Sequence, residues 1–267
     1  MVTTITGKVG KVRKMLNLLM CPDKDAGKAG AMFPSVVLKL TVGAPGTIEC
    51  IAMTEKKSVI ARSAFYDFHI AGEDAEVAID CVKFNKYLST LAAPEEDVQL
   101  EFDQDFTRII LPQDIASIPS MDPEHVTTAV AEYPFVVDEH NVPMFKKGKS
   151  KLTTKVELDV GIIQQTLRKG SLVGAEAYPL TFDKDGIKTV LGNKTNRSEA
   201  HIESSSKDIS VTGPDFNVTL GDGFNGVFTT LEGVVFILGR TDHPIYVAKQ
   251  IPEYELSFVI TPKVKDA

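Results

Sequence analysis

Residues 83–91 read KFNKYLSTL, and 140 positions later residues 223–231 read GFNGVFTTL, with Phe, Asn and the closing Thr-Leu in the same places. A chain that writes one amphipathic helix twice is most simply a chain that folds one domain twice. Self-similarity at a long period constrains architecture more tightly than composition does. The surroundings repeat as well. In the first half, MVTTIT alternates as a strand, and KVGKVRKMLNLLM follows as a helix with Val9, Val12, Leu16 and Leu19 on one side. Strands are predicted at VVLKLTV, TIECIAM, SVIARSAF and AEVAID. The KFNKYLSTL helix comes next, apolar at Phe84, Tyr87, Leu88 and Leu91, and DVQLEFD and TRIILP close the half.

The second half runs in the same order. TTKVELD is a strand, VGIIQQTLRKG a helix packed through Val160, Ile163 and Leu167, and AYPLTFDKDGIKTVLG a hairpin turning at Lys-Asp-Gly. SEAHIESS and DISVTGPDFNVTL continue as strands before the repeated helix; GVVFILG, IYVAKQI and ELSFVITP end the chain. The fold class is therefore α+β: two tandem domains, 1–111 and 153–267, each with two helices packed on antiparallel strands. The 267 residues suit two domains of about 130. The stretch 112–152, with Pro112, Pro119, Pro123, Pro134, Pro143 and the run KKGKSK, reads as a connector with an insertion.

Bulk numbers remove several classes. A net charge of −7 argues against non-specific coating of nucleic acid, though not against a local basic surface. No apolar run approaches the ~20 residues of a membrane span. The opening MVTTITGKVGKVRKML carries charge where a secretion signal would be apolar, so an intracellular location is expected. Cys21, Cys50 and Cys81 are widely spaced and odd in number, which suits reduced thiols better than disulfides or zinc. The sequons at Asn193, Asn196 and Asn217 then carry no meaning.

Motifs that suggest chemistry fail on context. GDGFNG (221–226) matches G-x-G-x-x-G, but a dinucleotide site needs a parallel βαβ unit, and here successive strands follow. PMFKKGKS (143–150) has Pro143 where a phosphate loop has its first glycine. His69, His125, His140, His201 and His243 lack metal-ligand spacing, and neither G-x-S-x-G nor H-E-x-x-H occurs. No catalytic residue, metal or cofactor is predicted, and the chain is read as a non-enzyme.

The lysines are better placed than their total suggests. At 100° per residue, Lys11 and Lys14 lie opposite the apolar side of the first helix, with Lys8 and Arg13 near. Lys86 opposes the apolar face of the second helix and Lys83 flanks it; Arg168 and Lys169 take the polar side of the third. The fourth offers Asn225, Gly226 and Thr229. Such a smooth cationic surface on helix faces suits phosphate backbones without reading bases.

These segments resemble the sliding clamps of the proliferating cell nuclear antigen type. The resemblance covers most of the chain outside the connector and is carried by CVKFNKYLSTLAAPEEDVQLEF, LRKGSLVGAEAYPLTFDKDGIKTVLGN, AMTEKKSVIARSAF and DHPIYVAKQI…LSFVITPKV. It implies two clamp domains per chain and three chains per ring, hence a homotrimer whose helices face duplex DNA. It implies a DNA polymerase processivity factor for replication and repair, opened by an ATP-driven loader. Carried over residue by residue, it gives DNA contacts at Lys11, Lys14, Lys86 and Arg168, with Lys8, Arg13, Lys83 and Lys169 beside them. It also gives a pocket for short partner peptides at Met53, Ile60, Pro244, Val259, Thr261 and Pro262, capped at Ile118. The chain departs from the family in its long connector, in a fourth helix without lysine, and in Val259 where an aromatic residue is usual. That pattern fits a divergent archaeal or viral member.

Ring closure is expected through the exposed edges TRIIL and SEAHIESS, paired head to tail between copies. Two alternatives stand beside the ring: a non-ring processivity factor of the same fold holding DNA by charge, and a nucleotide-binding enzyme using GDGFNG.

Overall fold

The computed structural model describes residues 2–22, 30–54, 58–103, 105–122, 133–139, 143–192, 200–221 and 224–263. His125, His140, Asn193, Asn196 and parts of the 112–152 connector lie outside the described residues. The chain divides into two compact units, Met1–Glu132 with Gln250–Leu256, and Tyr133–Lys249 with Ser257–Ala267.

The first unit runs β1 (Thr3–Lys8), α1 (Val9–Met20), β2 (Ser35–Thr41), β3 (Gly43–Met53), β4 (Val59–Ala71), β5 (Ala75–Asp80), α2 (Cys81–Leu91), β6 (Asp97–Phe102), β7 (Phe106–Ile110) and β8 (Ile115–Pro119). Its ladders are antiparallel, in the orders β5-β2-β3-β4 and β4-β1-β6-β7-β8. Strand β4 serves both through its two edges, and it bends at Asp67, a non-glycine residue at φ 64. Ile60 to Phe65, before the bend, pair with β3; after it, Phe68 and Ile70 still pair with β3, and His69, Ile70 and Ala71 pair with Thr6, Ile5 and Thr4 of β1.

The second unit opens with a small hairpin, β9 (Phe135–Val137) and β10 (Pro143–Phe145). Then come β11 (Thr154–Asp159), α3 (Val160–Leu172), β12 (Tyr178–Asp183), β13 (Gly186–Gly192), β14 (His201–Ser206), β15 (Ile209–Thr212), β16 (Phe216–Leu220), α4 (Asn225–Thr230), β17 (Val234–Gly239), β18 (Ile245–Ile251) and β19 (Tyr254–Ile260). The ladder orders are β16-β12-β13-β14 and β15-β11-β17-β18-β19. They reproduce the first unit pairing for pairing, with β14 and β15 standing where β4 runs unbroken. The duplication inferred from one helix is thus a duplication of the whole hydrogen-bonding scheme.

Two expectations change. TRIIL is β7, and it is no free edge: β6 pairs with one side and β8 with the other. The edge of the first unit passes to β8, drawn from the segment read as connector, while SEAHIESS supplies β14 at the end of its sheet as expected. Pro119 at the end of β8 suits that place, because proline has no N–H to give an inner ladder. The β9–β10 hairpin is held on the second unit by aromatic contact: Phe135 stacks on Tyr246 at 4.0 Å with planes 4° apart, and Phe145 meets Phe135 edge-on at 6.1 Å.

The core forms where helices cover strands. Val9, Val12, Leu16, Leu19, Phe84 and Leu88 are buried in the first unit; Val160, Ile163, Leu167, Phe224, Val227 and Phe228 are buried in the second. The repeated Phe84 and Phe224 are both 1% exposed, so their recurrence is a packing requirement. Tyr87, assigned to the apolar face, sits at its margin, 41% exposed. The three cysteines are buried free thiols; burial first, and then the Cys21 thiol, pushes Cys50 far above its usual range.

Candidate nucleic-acid interface

The helices are fixed at their starts by groups that satisfy otherwise unpaired N–H donors. Asp80 accepts from Lys83 N at 2.9 Å and caps α2, and Asp159 accepts from Gly161 N at 2.8 Å and caps α3. No side chain caps α1; instead Val9 N donates to Glu96 O at 2.9 Å and Gly10 N to Pro94 O at 2.8 Å. Gly10 permits that approach, since a Cβ there would stand 3.1 Å from Pro94 O.

Acidic residues at the caps contrast with their absence from the helices. The chain has 36 Asp and Glu, yet α1 (VGKVRKMLNLLM), α2 (CVKFNKYLSTL), α3 (VGIIQQTLRKGSL) and α4 (NGVFTT) contain none. They carry Lys11, Arg13, Lys14, Lys83, Lys86, Arg168 and Lys169. Solvated faces of ordinary helices interleave both signs, because i,i+4 ion pairs stabilise them. Helices stripped of one sign in a chain of net charge −7 mark a surface held cationic against the trend of the molecule.

The cations differ in what holds them. Lys8 pairs with Asp97 at 2.7 Å and Lys83 with Asp80 at 3.3 Å. Lys11 donates to the carbonyl and to Oδ2 (3.1 Å) of Asp67, and lies 4.5 Å from the Phe68 ring centroid. Arg13 Nε donates to Asn85 Oδ1 at 3.4 Å, and Asn85 in turn to Asn17 at 3.0 Å, a polar seam between α1 and α2. Lys14 is exposed, with Nζ 5.6 Å from the Tyr254 ring centroid. Lys86 and Arg168 are exposed and have no carboxylate partner among the described residues. Lys169 donates to Ser204 Oγ at 2.6 Å. All eight residues named from the sequence therefore lie on or beside the helices. Pattern alone did not reveal that Lys8, Lys11 and Lys83 are tethered by acids, because the partners come from other strands or from a cap. The absence of Asp and Glu from all four helical segments was legible in the sequence.

Of the peptide-pocket residues, Ile118 and Val259 are 6% and 3% exposed, whereas Met53, Ile60, Pro244 and Pro262 keep partial exposure and Thr261 is exposed. GDGFNG loses its nucleotide reading, since α4 has six residues and leads into β17, which is antiparallel to its neighbours β11 and β18. Residues 222 and 223 of that motif lie outside the described residues. PMFKKGKS forms β10 and a turn. Among the described residues no group of three or more His, Cys, Asp or Glu could hold a metal ion, and no helix is long and apolar enough to cross a membrane.

No protein-family model matches the chain, and no curated protein matches it. Solved structures do match, along essentially the full length. A structure of the C-terminal region of FEN-1 bound to A. fulgidus PCNA aligns with TM-score 0.71 at 8% identity, over 99% of this chain and 100% of that one. PCNA from Thermococcus kodakaraensis aligns with TM-score 0.68 at 14% identity, over 98% and 100%. The proliferating cellular nuclear antigen of Entamoeba histolytica aligns with TM-score 0.70 at 10% identity, over 98% and 99%. Identities this low speak for the fold alone: the chain has the two-domain α+β fold of the PCNA-type sliding clamp.

Proposed function

We propose that this chain is a sliding clamp, a processivity factor whose copies close into a ring around duplex DNA and tether DNA polymerase and repair enzymes to it. The observation that carries the reading is that none of the four helices bears an acid, while α1, α2 and α3 bear cations. Such a surface holds a phosphate backbone without sequence preference and leaves the duplex free to slide. The edges β8 and β14, unpaired on one side among the described residues, support ring closure, because an edge strand is a template for another chain and a head-to-tail contact of unlike edges closes when the rotation fits. The chain acts by tethering and not by catalysis, and an ATP-driven loader opens the ring. Partner enzymes dock through short peptides, as the C-terminal region of FEN-1 is bound in the A. fulgidus structure. Met53, Ile60, Ile118, Pro244, Val259, Thr261 and Pro262 are the proposed contact residues.

Two measurements test it. Light scattering should give three times the 29.1 kDa chain mass; a monomer at all concentrations would remove the ring. Loaded on circular DNA, the protein should survive salt that strips it from linear DNA of the same length. Equal salt sensitivity on both would favour the charge-held alternative, for which a chain of net charge −7 is poorly equipped.

A further inference from the structure

In the second unit, α3 lies across the inner face of the β13–β14 ladder, and that face changes character along its length. The register pairs Leu191 with Ile202, then Thr189 with Ser204, then Ile187 with Ser206. Where an apolar layer would be expected, three hydroxyls stand in neighbouring positions. Gln165, Thr166 and Lys169 of α3 close over them, leaving a cavity of about 40 Å³. One water occupies roughly 10–15 Å³ by the same measure, so the space suits a group of several atoms.

The donor inventory of this cavity is one-sided. Lys169 Nζ donates to Ser204 Oγ at 2.6 Å, which leaves the Ser204 proton and the remaining ammonium protons to point elsewhere. Thr166 spends its proton on Ile162 O at 3.1 Å. Thr189, 7% exposed, has a buried hydroxyl without a hydrogen-bond partner. Among the described residues no carboxylate lines the space. The buried Thr189 hydroxyl, beside the half-buried Ser204 and Lys169, is costly unless something accepts from it.

We propose that this cavity binds a tetrahedral oxyanion of phosphate chemistry, held by Lys169, Thr189 and Ser204. The inference rests on the geometry of the second unit and does not require the ring. A free phosphate ion or a backbone phosphate of bound DNA would present the same oxygens.

The probe is inorganic phosphate, titrated calorimetrically into the full chain, with thermal unfolding as a second readout. Wild type should bind saturably and melt higher with phosphate. Thr189→Val, which keeps the shape and removes the hydroxyl, should weaken binding about tenfold, and Lys169→Met should abolish it, both variants keeping the wild-type circular dichroism spectrum. Displacement of bound phosphate by duplex DNA identifies the backbone as the source; retention beside DNA identifies a free ion. Unsaturable heats in wild type, equal binding by Thr189→Val, or a phosphate-soaked crystal with only water in the cavity would each overturn the proposal. None of these outcomes bears on the mass or topology tests of the clamp reading.

Discussion

The two units share one hydrogen-bonding scheme and differ in how they spend it. The first presents α1 and α2, of 12 and 11 residues, with Lys11, Arg13, Lys14, Lys83 and Lys86. The second presents α3, of 13 residues, with Arg168 and Lys169, and α4, of six residues, with no charge. Duplication preserved the buried positions, as Phe84 and Phe224 attest, and released the surface. The cations of the first unit are also more constrained, since Lys8, Lys11 and Lys83 face carboxylates. Lys14, Lys86 and Arg168 are left as the charges most available to a phosphate.

That asymmetry predicts unequal losses. Lys14→Glu with Lys86→Glu should abolish stimulation of a polymerase and lower the slope of log affinity against log salt by close to two, since each phosphate contact contributes about 0.9. Arg168→Glu alone should lower it by about one and leave measurable stimulation. Ring mass should be unchanged in both. If Arg168→Glu is the more damaging, the second unit dominates the grip and the comparison is reversed.

A second contrast lies in helix packing and should be the next largest effect. Gly170 in α3 has no Cβ because one would stand 2.3 Å from the ring of Tyr178. That ring is fixed edge-on against Phe224 at 5.3 Å and has little room to retreat. Gly170→Ala should therefore destabilise the protein by about 1–3 kcal/mol, the usual range for overpacking. Gly10→Ala in α1 meets Pro94 less closely, its O at 3.1 Å and its Cβ at 3.3 Å, and the better helix propensity of alanine, worth up to about 1 kcal/mol, offsets the crowding. Denaturation midpoints of the two variants should separate clearly; equal midpoints would show that Tyr178 moves aside.

The same contrast marks what the sequence could disclose. Helices and inner strands were legible because burial imposes a period, and Val9, Val12, Leu16 and Leu19 all proved buried. Strand β8 was not, because IASIP is short, ends in proline and borders a proline-rich stretch. It is a strand only because β7 offers it a partner. The cations were legible as positions on a wheel, but Asp67 meets Lys11 from 56 residues away through a bend in β4, which no local pattern encodes. The oxyanion cavity was hidden for a similar reason: HIESSS alternates like any edge strand, and only α3 above it turns Ser204 and Ser206 into lining.

The smallest predicted effect concerns that bend. Asp67 occupies the left-handed region at φ 64, which asparagine tolerates as well as aspartate, so Asp67→Asn should leave the backbone in place and remove only the charge. The second unit has no equivalent residue in one continuous strand, because β14 ends at Ser206 and β15 begins at Ile209. The Lys11–Asp67 pair is exposed, with the Asp67 side chain 85% accessible, and such pairs are worth about 0–1 kcal/mol. Stability should thus move little. Affinity for linear duplex at low salt should rise two- to fivefold by the same magnitude, as Lys11 exchanges a carboxylate for a phosphate, and the salt slope should steepen by less than one contact. An unchanged affinity would place Lys11 off the path of the DNA and leave Lys14 and Lys86 to carry the first unit alone. A rise beyond tenfold would mean that Asp67 restrains the strongest contact on the surface, and the advantage of the first unit would then be larger than its unpaired charges suggest.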